Sequence, residues 1–152
     1  MIRTATSADA VQVAALVKGI LEKEFPADQA AYAADDLDNL MEAYAGPASA
    51  FLVAEEGHRI VGTCGVKAEG RETAILRRLF VESTFRKKGV GAALLKEALA
   101  LCKKRGFREV VIRTSSRMSQ AIRLCASLGF KEEERWALGP VTLIRYHLRL
   151  SS

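Results

Sequence analysis

The chain has 152 residues, of which 49% are hydrophobic and 27% charged, and it carries a net charge of +5. This is the composition of a globular protein that can bury a core, not of a disordered one. The first ten residues lack the apolar segment of a signal peptide, and no run approaches the roughly 20 apolar residues that span a bilayer. We therefore expect one domain over residues 1–152, cytoplasmic and not in a membrane.

The cysteines do not favour a metal site. Cys64, Cys102 and Cys125 have no CxxC spacing, and neither histidine lies near a cysteine in the sequence. Zinc sites need a closely spaced set of such ligands. We expect buried, reduced thiols and no bound metal.

Charge is distributed unevenly along the chain. Residues 1–70 contain 5 Lys or Arg against 11 Asp or Glu, whereas residues 71–152 contain 18 against 7. The difference suggests that the C-terminal half meets an anion and the N-terminal half a cation. An unevenly charged solvated surface is the alternative.

The N-terminal third predicts a strand and two helices. A strand is expected over Ile2–Ala5, and Thr6-x-x-Asp9 has the spacing of a capping box. A second helix is expected over Asp28–Tyr44, with acidic residues along it. The first helix is predicted by an apolar stripe at helical spacing, formed by Val13, Leu16, Val17, Ile20 and Leu21.

The rest of the chain alternates between strand and helix patterns. One helix opens at Gly89, and another carries an apolar stripe that includes Cys125 and ends at Gly129. The resulting order, βααβββαβαββ, predicts an α/β domain with a mixed sheet. Strands are expected over Ala50–Glu55, Arg59–Lys67, Thr73–Glu82, Glu109–Arg113, Phe130–Arg135 and Thr142–Leu150.

Residues 79–95 are the most informative segment. A buried strand is followed by a basic loop, two glycines and an amphipathic helix. The N–H groups and dipole at a helix N-terminus favour an anion, and Gly89 and Gly91 allow the backbone to approach a ligand. This pattern predicts a phosphate or pyrophosphate site, although a basic turn into a structural helix is the alternative. The GxxxxGK[ST] and GxGxxG loops are absent.

Two motifs resemble those of the GNAT acetyltransferases. Arg86-x-x-Gly89-x-Gly91, after a strand ending Leu-Phe-Val, resembles the R/Q-x-x-G-x-G/A acetyl-coenzyme A signature. Residues 121–130 resemble the second signature, A-x-x-L-Y-x-x-x-G-F, and the element order also matches. The resemblance implies a mixed, mostly antiparallel sheet flanked by helices, and acetyl-CoA-dependent N-acetyltransferase activity.

The resemblance also implies which residues bind acetyl-CoA. The main chain of Leu79, Phe80 and Val81 is expected to pair with the pantetheine arm. Arg123 could add charge near the remaining phosphate, unless it is only a solvated basic residue. The pyrophosphate is expected to lie on a segment formed by Arg86, Lys87, Lys88, Gly89, Val90, Gly91 and Ala92.

The sequence departs from the family pattern at catalytic positions. Cys125 stands where relatives often hold a tyrosine acid; it is either a proton donor or an apolar core residue. Ile75 stands where the resemblance leads us to expect a glutamate base. Glu82, at the end of the same strand, is the candidate base; the alternative is that it is an exposed carboxylate in a turn. Met118 replaces a frequent asparagine, and His58 is expected to face solvent in a turn.

Direct transfer of the acetyl group to an amine within a ternary complex is the expected mechanism. The acceptor is a small-molecule or peptide amine, and Asp35, Asp36, Asp38 and Glu24 either attract it or form an ordinary solvated surface. The resemblance is also compatible with a homodimer. The alternative functions are a non-catalytic acyl-CoA-binding protein and a nucleic-acid-binding module; we expect no nucleic-acid partner.

Overall fold

The computed structural model describes residues 1–31 and 35–150, without the side chains of residues 29–31 and 35. Over these residues, seven strands form one sheet in the order β1-β2-β3-β4-β5-β7-β6. β4 and β5 are parallel, and the other neighbouring strands are antiparallel. The predicted mixed, mostly antiparallel sheet is therefore confirmed. The strands are β1 (Ile2–Thr4), β2 (Ala50–Glu56), β3 (Arg59–Ala68), β4 (Thr73–Val81), β5 (Glu109–Ser115), β6 (Lys131–Leu138) and β7 (Val141–Arg149).

Helices cover both faces of the sheet. On one face, α1 to α3 pack over a core that includes Val13, Val17 and Val53. On the other, α4 and α5 cover a second core that includes Leu94 and Cys125. No described helix is long and apolar enough to cross a membrane. The helices are α1 (Ala10–Glu24), α2 (Asp35–Asp38), α3 (Leu40–Ala43), α4 (Val90–Lys104) and α5 (Ser119–Ser127), with 3-10 turns at Ser7–Asp9, Pro26–Ala31 and Ser83–Phe85.

The start of α1 follows the sequence prediction. The apolar stripe is buried except for Leu16, which is half-buried, and the capping box forms at the 3-10 turn before α1, where the Thr6 N–H donates to Asp9 Oδ2 at 2.7 Å. The Arg3 guanidinium also binds the Asp9 carboxylate, at 2.7 and 2.9 Å. Asp9 therefore joins the first strand to the first helix.

The single helix predicted over residues 28–44 is wrong. A 3-10 turn ends at Ala31, residues 32–34 lie outside the described part of the chain, and two short helices follow. The break between α2 and α3 falls at Asn39, whose backbone is not helical (φ −134°, ψ 49°). Asp and Asn are poor helix formers because their side chains compete for main-chain hydrogen bonds.

Candidate active site

The sheet separates into two arms beyond the middle of β4 and β5. Register pairs between these strands run from Thr73–Glu109 to Leu76–Ile112. Beyond them, β4 continues beside β3 as far as Val81, and β5 continues beside β7. A gap therefore opens between the carboxyl ends of the two parallel strands.

A β-bulge in β4 precedes this gap. The register with β3 shifts between Thr63 and Gly65, and Arg78 has a left-handed backbone with φ 57°. The Thr63 hydroxyl donates to the Arg78 carbonyl oxygen at 2.7 Å. Such conformations are uncommon outside glycine, so the bulge must be held by its surroundings.

Beyond the bulge, the ladder directs main-chain groups into the gap. Phe80 is opposite Thr63, and the Glu82 N–H donates to the Val61 carbonyl at 2.8 Å. Because antiparallel ladders alternate, Leu79 and Val81 direct their N–H and C=O groups away from β3. The Val81 carbonyl accepts a hydrogen bond from Arg86 Nε at 2.9 Å on this side.

The loop between β4 and α4 contains two left-handed residues, Lys87 (φ 62°) and Gly89 (φ 84°). A Cβ at Gly89 would meet no atom within 4 Å, so its backbone faces open space. Gly91 differs, because its Cβ would lie 2.8 Å from Leu124 Cδ1. Gly89 therefore leaves the backbone accessible, whereas a side chain at Gly91 would displace the end of the Leu124 side chain on α5.

Two adjoining cavities follow the gap and the loop. We call the one of about 350 Å³ at the start of α4 the loop cavity and the one of about 240 Å³ between β4, α1 and α5 the gap cavity. They share Val81, Arg86 and Gln120 and so form one cleft. The loop cavity is lined by Val81, Arg86, Lys87, Gly89, Val90, Gly91, Ala92, Gln120, Arg123, Leu124 and Ser127. The gap cavity is lined by Ile20, Glu24, Phe25, Leu79, Phe80, Val81, Arg86, Met118, Ser119, Gln120 and Ala121.

The structure thus brings the sequence-predicted cofactor residues together. All of them line the cleft except Lys88, whose ammonium group lies 5.4 Å from the centre of the Phe85 ring. Arg123, the additional cation, lines the loop cavity. That these residues bind acetyl-CoA stays a prediction.

Arg86 has a more central position than its motif suggests. Its guanidinium forms a bidentate ion pair with Glu24, with Nη2 2.7 Å from Oε2. Together with the bond to Val81, this pair joins the end of α1 to the end of β4. Arg86 therefore organises the junction of the two cavities.

Asp28 connects the same segment to the other arm. Its carboxylate is fully buried, with Oδ1 3.5 Å from Nη1 of Arg117, which follows β5. The Oδ2 atom has no hydrogen-bond partner among the residues that the structure describes. The end of α1 and the turn after it therefore contact the chain beyond both β4 and β5.

The candidate acid Cys125 lies in the core and does not line the described cleft. It has no exposed surface, and burial raises the pKa of its thiol to about 12. A thiol with that pKa is a weaker acid than an ordinary one near 8.5. The position of Cys125 favours a packing role over proton donation.

The candidate base Glu82 faces a different cavity. That cavity, of about 380 Å³, adjoins the gap cavity and shares Ile20 and Glu24 with it. Glu82 forms an ion pair with Arg59 through Oε1, and within the described part of the chain its buried Oε2 has no hydrogen-bond partner. Its role as a base stays untested.

The predicted acidic acceptor surface is divided. Asp36 is buried against Arg78 and Tyr44, and Asp38 is exposed and paired with Lys18 at 2.8 Å. The side chain of Asp35 lies outside the described residues. Of the three acids whose side chains the structure describes, Glu24 is the one that lines the cleft.

The other residues singled out from the sequence lie in several places. His58 is exposed in the β2–β3 turn, as predicted. Ile75 is buried in β4, and Met118 lines the gap cavity. His147 lies on β7, with Nε2 3.4 Å from Glu109 Oε1.

Sequence reasoning missed four residues that line the gap cavity: Ile20, Phe25, Ser119 and Gln120. Ile20 belongs to an apolar stripe that predicts only burial. Gln120 precedes the second motif by one residue, and its position at the start of α5 could have indicated that it faces the glycine loop. Phe25 and Ser119 carry no comparable signal.

Comparison with known proteins identifies the family. The profile of the acetyltransferase (GNAT) family matches residues 15–130. Human N-acetyltransferase 8 is 30% identical over 103 residues, which are 64% of this chain and 45% of that protein. An uncharacterized N-acetyltransferase from Schizosaccharomyces pombe is 31% identical over 114 residues, which are 74% of this chain and 70% of that protein. The chain spans about half the length of the mammalian relatives it matches.

Solved structures share the whole fold. A GNAT acetyltransferase from Staphylococcus aureus has a TM-score of 0.89 with 22% identity, covering 99% of each chain. A Salmonella typhimurium protein solved with its cofactor acetyl-CoA has a TM-score of 0.82 with 21% identity, covering 99% of this chain and 94% of the other. At these identities the likeness is one of fold, and the family match over residues 15–130 identifies the family. The chain belongs to the acetyltransferase (GNAT) family.

Proposed function

We propose that this protein is an acetyl-CoA-dependent N-acetyltransferase that moves an acetyl group directly to an amine. The observation that carries the proposal is the cleft itself. Main-chain groups of β4 and the left-handed loop before α4 face two adjoining cavities that share Val81, Arg86 and Gln120. That combination suits a long ligand with an anionic end and an amide-containing arm.

The loop cavity fits the anionic end of the cofactor. The first N–H groups of α4 have no partner within the helix, and the exposed backbone at Gly89 lets a phosphate approach them. Lys87 and Arg123 line the same cavity. We assign the pyrophosphate to the segment from Arg86 to Ala92, with these two cations as neighbours.

The gap cavity fits the arm and the reacting end. The Leu79 and Val81 main chain can hydrogen-bond an extended arm, as an added strand would. Acetyl-CoA supplies an activated acetyl thioester. An N–H at this end of β4 is suited to stabilise negative charge that develops on a carbonyl oxygen.

Glu24 is suited to receive the amine. Among the described residues that line the gap cavity, it is the one carboxylate. An alkylammonium has a pKa of about 10.4 and must lose its proton before it attacks. We propose that Glu24, held in place by Arg86, attracts the ammonium group, which loses its proton to solvent before it attacks. The new C–N bond then replaces the C–S bond of the thioester, and coenzyme A leaves as a thiol that takes up the second proton released by the nitrogen.

Direct transfer fits the position of the chain's nucleophiles. The Cys125 thiol is buried in the core, away from the cavity where the amine is proposed to bind. Ser119 lines that cavity, but neither histidine does, so no imidazole is placed there to activate its hydroxyl. His58 lies in the β2–β3 turn, and His147 lies on β7. A positioned amine needs no covalent acetyl-enzyme, because proximity itself lowers the barrier.

The acceptor is proposed only as an amine, in a small molecule or a peptide. A structural neighbour from Brucella melitensis is named a ribosomal-protein-alanine N-acetyltransferase, with a TM-score of 0.83 and 23% identity. A protein acceptor is therefore one member of the class to be screened. A non-catalytic acyl-CoA-binding protein is the second candidate, favoured by the absence of an exposed acid at Cys125.

Calorimetric titration of acetyl-CoA into wild type, Gly89→Glu and Gly106→Glu tests the proposal. Gly106 is a matched control, because it also has a left-handed φ (87°) with open space around it, but lies beyond the opposite end of α4. We expect G89E to weaken binding by at least about 30-fold and G106E to leave it unchanged. Folded wild type that does not bind acetyl-CoA would contradict the proposal.

Turnover separates the two candidate functions. Release of free coenzyme A thiol is measured with a panel of amines, diamines, amino acids and peptides. Binding of acetyl-CoA with acceptor-dependent thiol release supports the enzyme. Binding without turnover for any amine supports the non-catalytic alternative.

A further inference from the structure

A buried polar cluster lies directly behind the bulge in β4. The Arg78 side chain is 2% exposed and the Asp36 side chain 7%. Arg78 Nε donates to Asp36 Oδ2 at 3.1 Å, and Nη2 binds Oδ1. The Tyr44 hydroxyl donates to Asp36 Oδ2 at 2.8 Å. We call these three residues the bulge cluster.

The cluster is closely packed. A Cβ at Gly65, in β3 beside the bulge, would lie 2.6 Å from the Tyr44 ring, so the ring sits against the strand. The same ring meets Phe51 edge-on, with the ring centres 4.9 Å apart. Tyr44 and Asp36 therefore have little freedom to move, and they fix the direction of the Arg78 side chain.

The backbone of Arg78 is fixed from its other side. Its carbonyl oxygen accepts from the buried Thr63 hydroxyl at 2.7 Å. Arg78 has its side chain held by Asp36 and its carbonyl held by Thr63, which offsets the cost of its left-handed φ. The bulge in turn sets which way Leu79 and Val81 point.

We propose that Asp36 is a positioning residue for the cofactor, acting through Arg78. It contacts no reacting atom; it holds the bulge that turns the main chain of Leu79 and Val81 toward the gap. This inference rests on the proposed function, in which those groups bind the arm of acetyl-CoA. Asp36, which the sequence suggested as a residue that attracts the acceptor, is here assigned a role in binding the donor instead.

The chain provides a matched control for a merely structural role. Asp9 forms a bidentate pair with Arg3, and its side chain is 8% exposed, close to that of Asp36. Asp9 lies beside β1. In the arm formed by β1 to β4, β1 is at the opposite edge from β4. Asp36→Asn and Asp9→Asn each remove the charge of a buried carboxylate that is paired with an arginine, although Arg3 is more exposed than Arg78.

The experiment compares wild type, D36N and D9N by thermal unfolding, calorimetry with acetyl-CoA and hydrogen exchange at the amides of residues 79–81. We expect both variants to unfold at lower temperature. Only D36N should raise the Kd for acetyl-CoA, by about tenfold or more, and speed exchange at these amides. In turnover assays, D36N should raise the KM for acetyl-CoA more than the KM for the amine.

Wild-type affinity in D36N, or an equal loss in D9N, would overturn the proposal. If D36N does not fold, Tyr44→Phe decides, because it removes one hydrogen bond to Asp36 and keeps the ring; an unchanged Kd would then overturn it. If wild type does not bind acetyl-CoA, the proposed function fails, but exchange at residues 79–81 still tests whether Asp36 holds the bulge.

Discussion

Glu24, the last residue of α1, and Arg86, the first residue of the glycine motif, form a bidentate ion pair across 62 positions of the sequence. Arg86 also donates to the Val81 carbonyl at 2.9 Å. One guanidinium thus contacts the strand proposed to bind the donor and the carboxylate proposed to bind the acceptor. A change on either side is expected to affect the other.

Substituting Glu24 tests the acceptor site. Glu24→Gln keeps the size and a hydrogen-bond acceptor but removes the charge facing the gap cavity. We expect the KM for a cationic amine to rise by about tenfold, with a smaller change in the Kd for acetyl-CoA. Steady-state kinetics measures both.

Asp38→Asn is the control for that variant, because Asp38 is also paired with a cation but is exposed away from the cleft. D38N should have the wild-type KM for the amine. If E24Q and D38N have the same KM for the amine, Glu24 does not recognise the acceptor.

Substituting Cys125 tests its role as an acid. Cys125→Ala leaves a small cavity in the core, so we expect the free energy of unfolding to fall by roughly 1–2 kcal/mol. Since the thiol lies outside the described cleft, kcat should stay within about threefold of wild type, whereas loss of a general acid costs 100-fold or more. Cys102→Ala, in the same core, is the control for stability alone.

Glu82 is tested by Glu82→Gln and the pH dependence of kcat/KM. Its side chain faces the neighbouring cavity and pairs with Arg59. We expect kcat/KM to stay within about threefold across the pH range, since loss of a general base costs 100-fold or more. A larger loss, with the acidic limb of the profile abolished, would establish Glu82 as the base.

The ion pair of Asp9 with Arg3 should make the free energy of unfolding depend on pH in the acid range. Hydrogen bonds from Arg3 hold the pKa of its carboxyl at about 2, below the ordinary value of 3.8. Because the pKa is lowered in the folded state, the stabilisation is present above pH 4 and is lost as the pH falls toward 2. The destabilisation caused by D9N should therefore shrink over this range.

Chemical denaturation of wild type and D9N at a series of pH values measures the effect. Solvent screens the pair because Arg3 is partly exposed. We therefore expect the destabilisation caused by D9N to change by on the order of 1 kcal/mol over this pH range. A destabilisation that stays constant between pH 6 and pH 2 would show that the pair adds no charge-dependent stability.

Local patterns predicted most of the fold. The stripes of α1 and α4, the β2–β3 hairpin and the two motifs lie where their spacing indicated. Patterns of this kind arise within one element, and burial of one face is enough to specify them. The single helix expected over residues 28–44 was wrong because the backbone leaves the helical conformation at Asn39, a residue type that is weak in helices.

The details of the site depend on contacts that no local pattern contains. The left-handed Arg78 is not a glycine, so nothing in its own type indicates a bulge. The Glu24–Arg86 and Asp36–Arg78 pairs join positions 62 and 42 apart. Gly91 lines the loop cavity, and its close contact with Leu124, on a different helix, is not visible in the motif.

The separation of β4 from β5 has a thermodynamic consequence. The register between the two arms ends at Leu76 and Ile112, so the main-chain groups of Leu79 and the N–H of Val81 face the gap outside the ladder, where a ligand can bind them. A molecule that binds them adds to the ladder of the folded protein and has no such site in the unfolded chain. Ligand occupancy and resistance to heat are therefore linked, and the melting temperature should report directly on which acyl donors the cleft accepts.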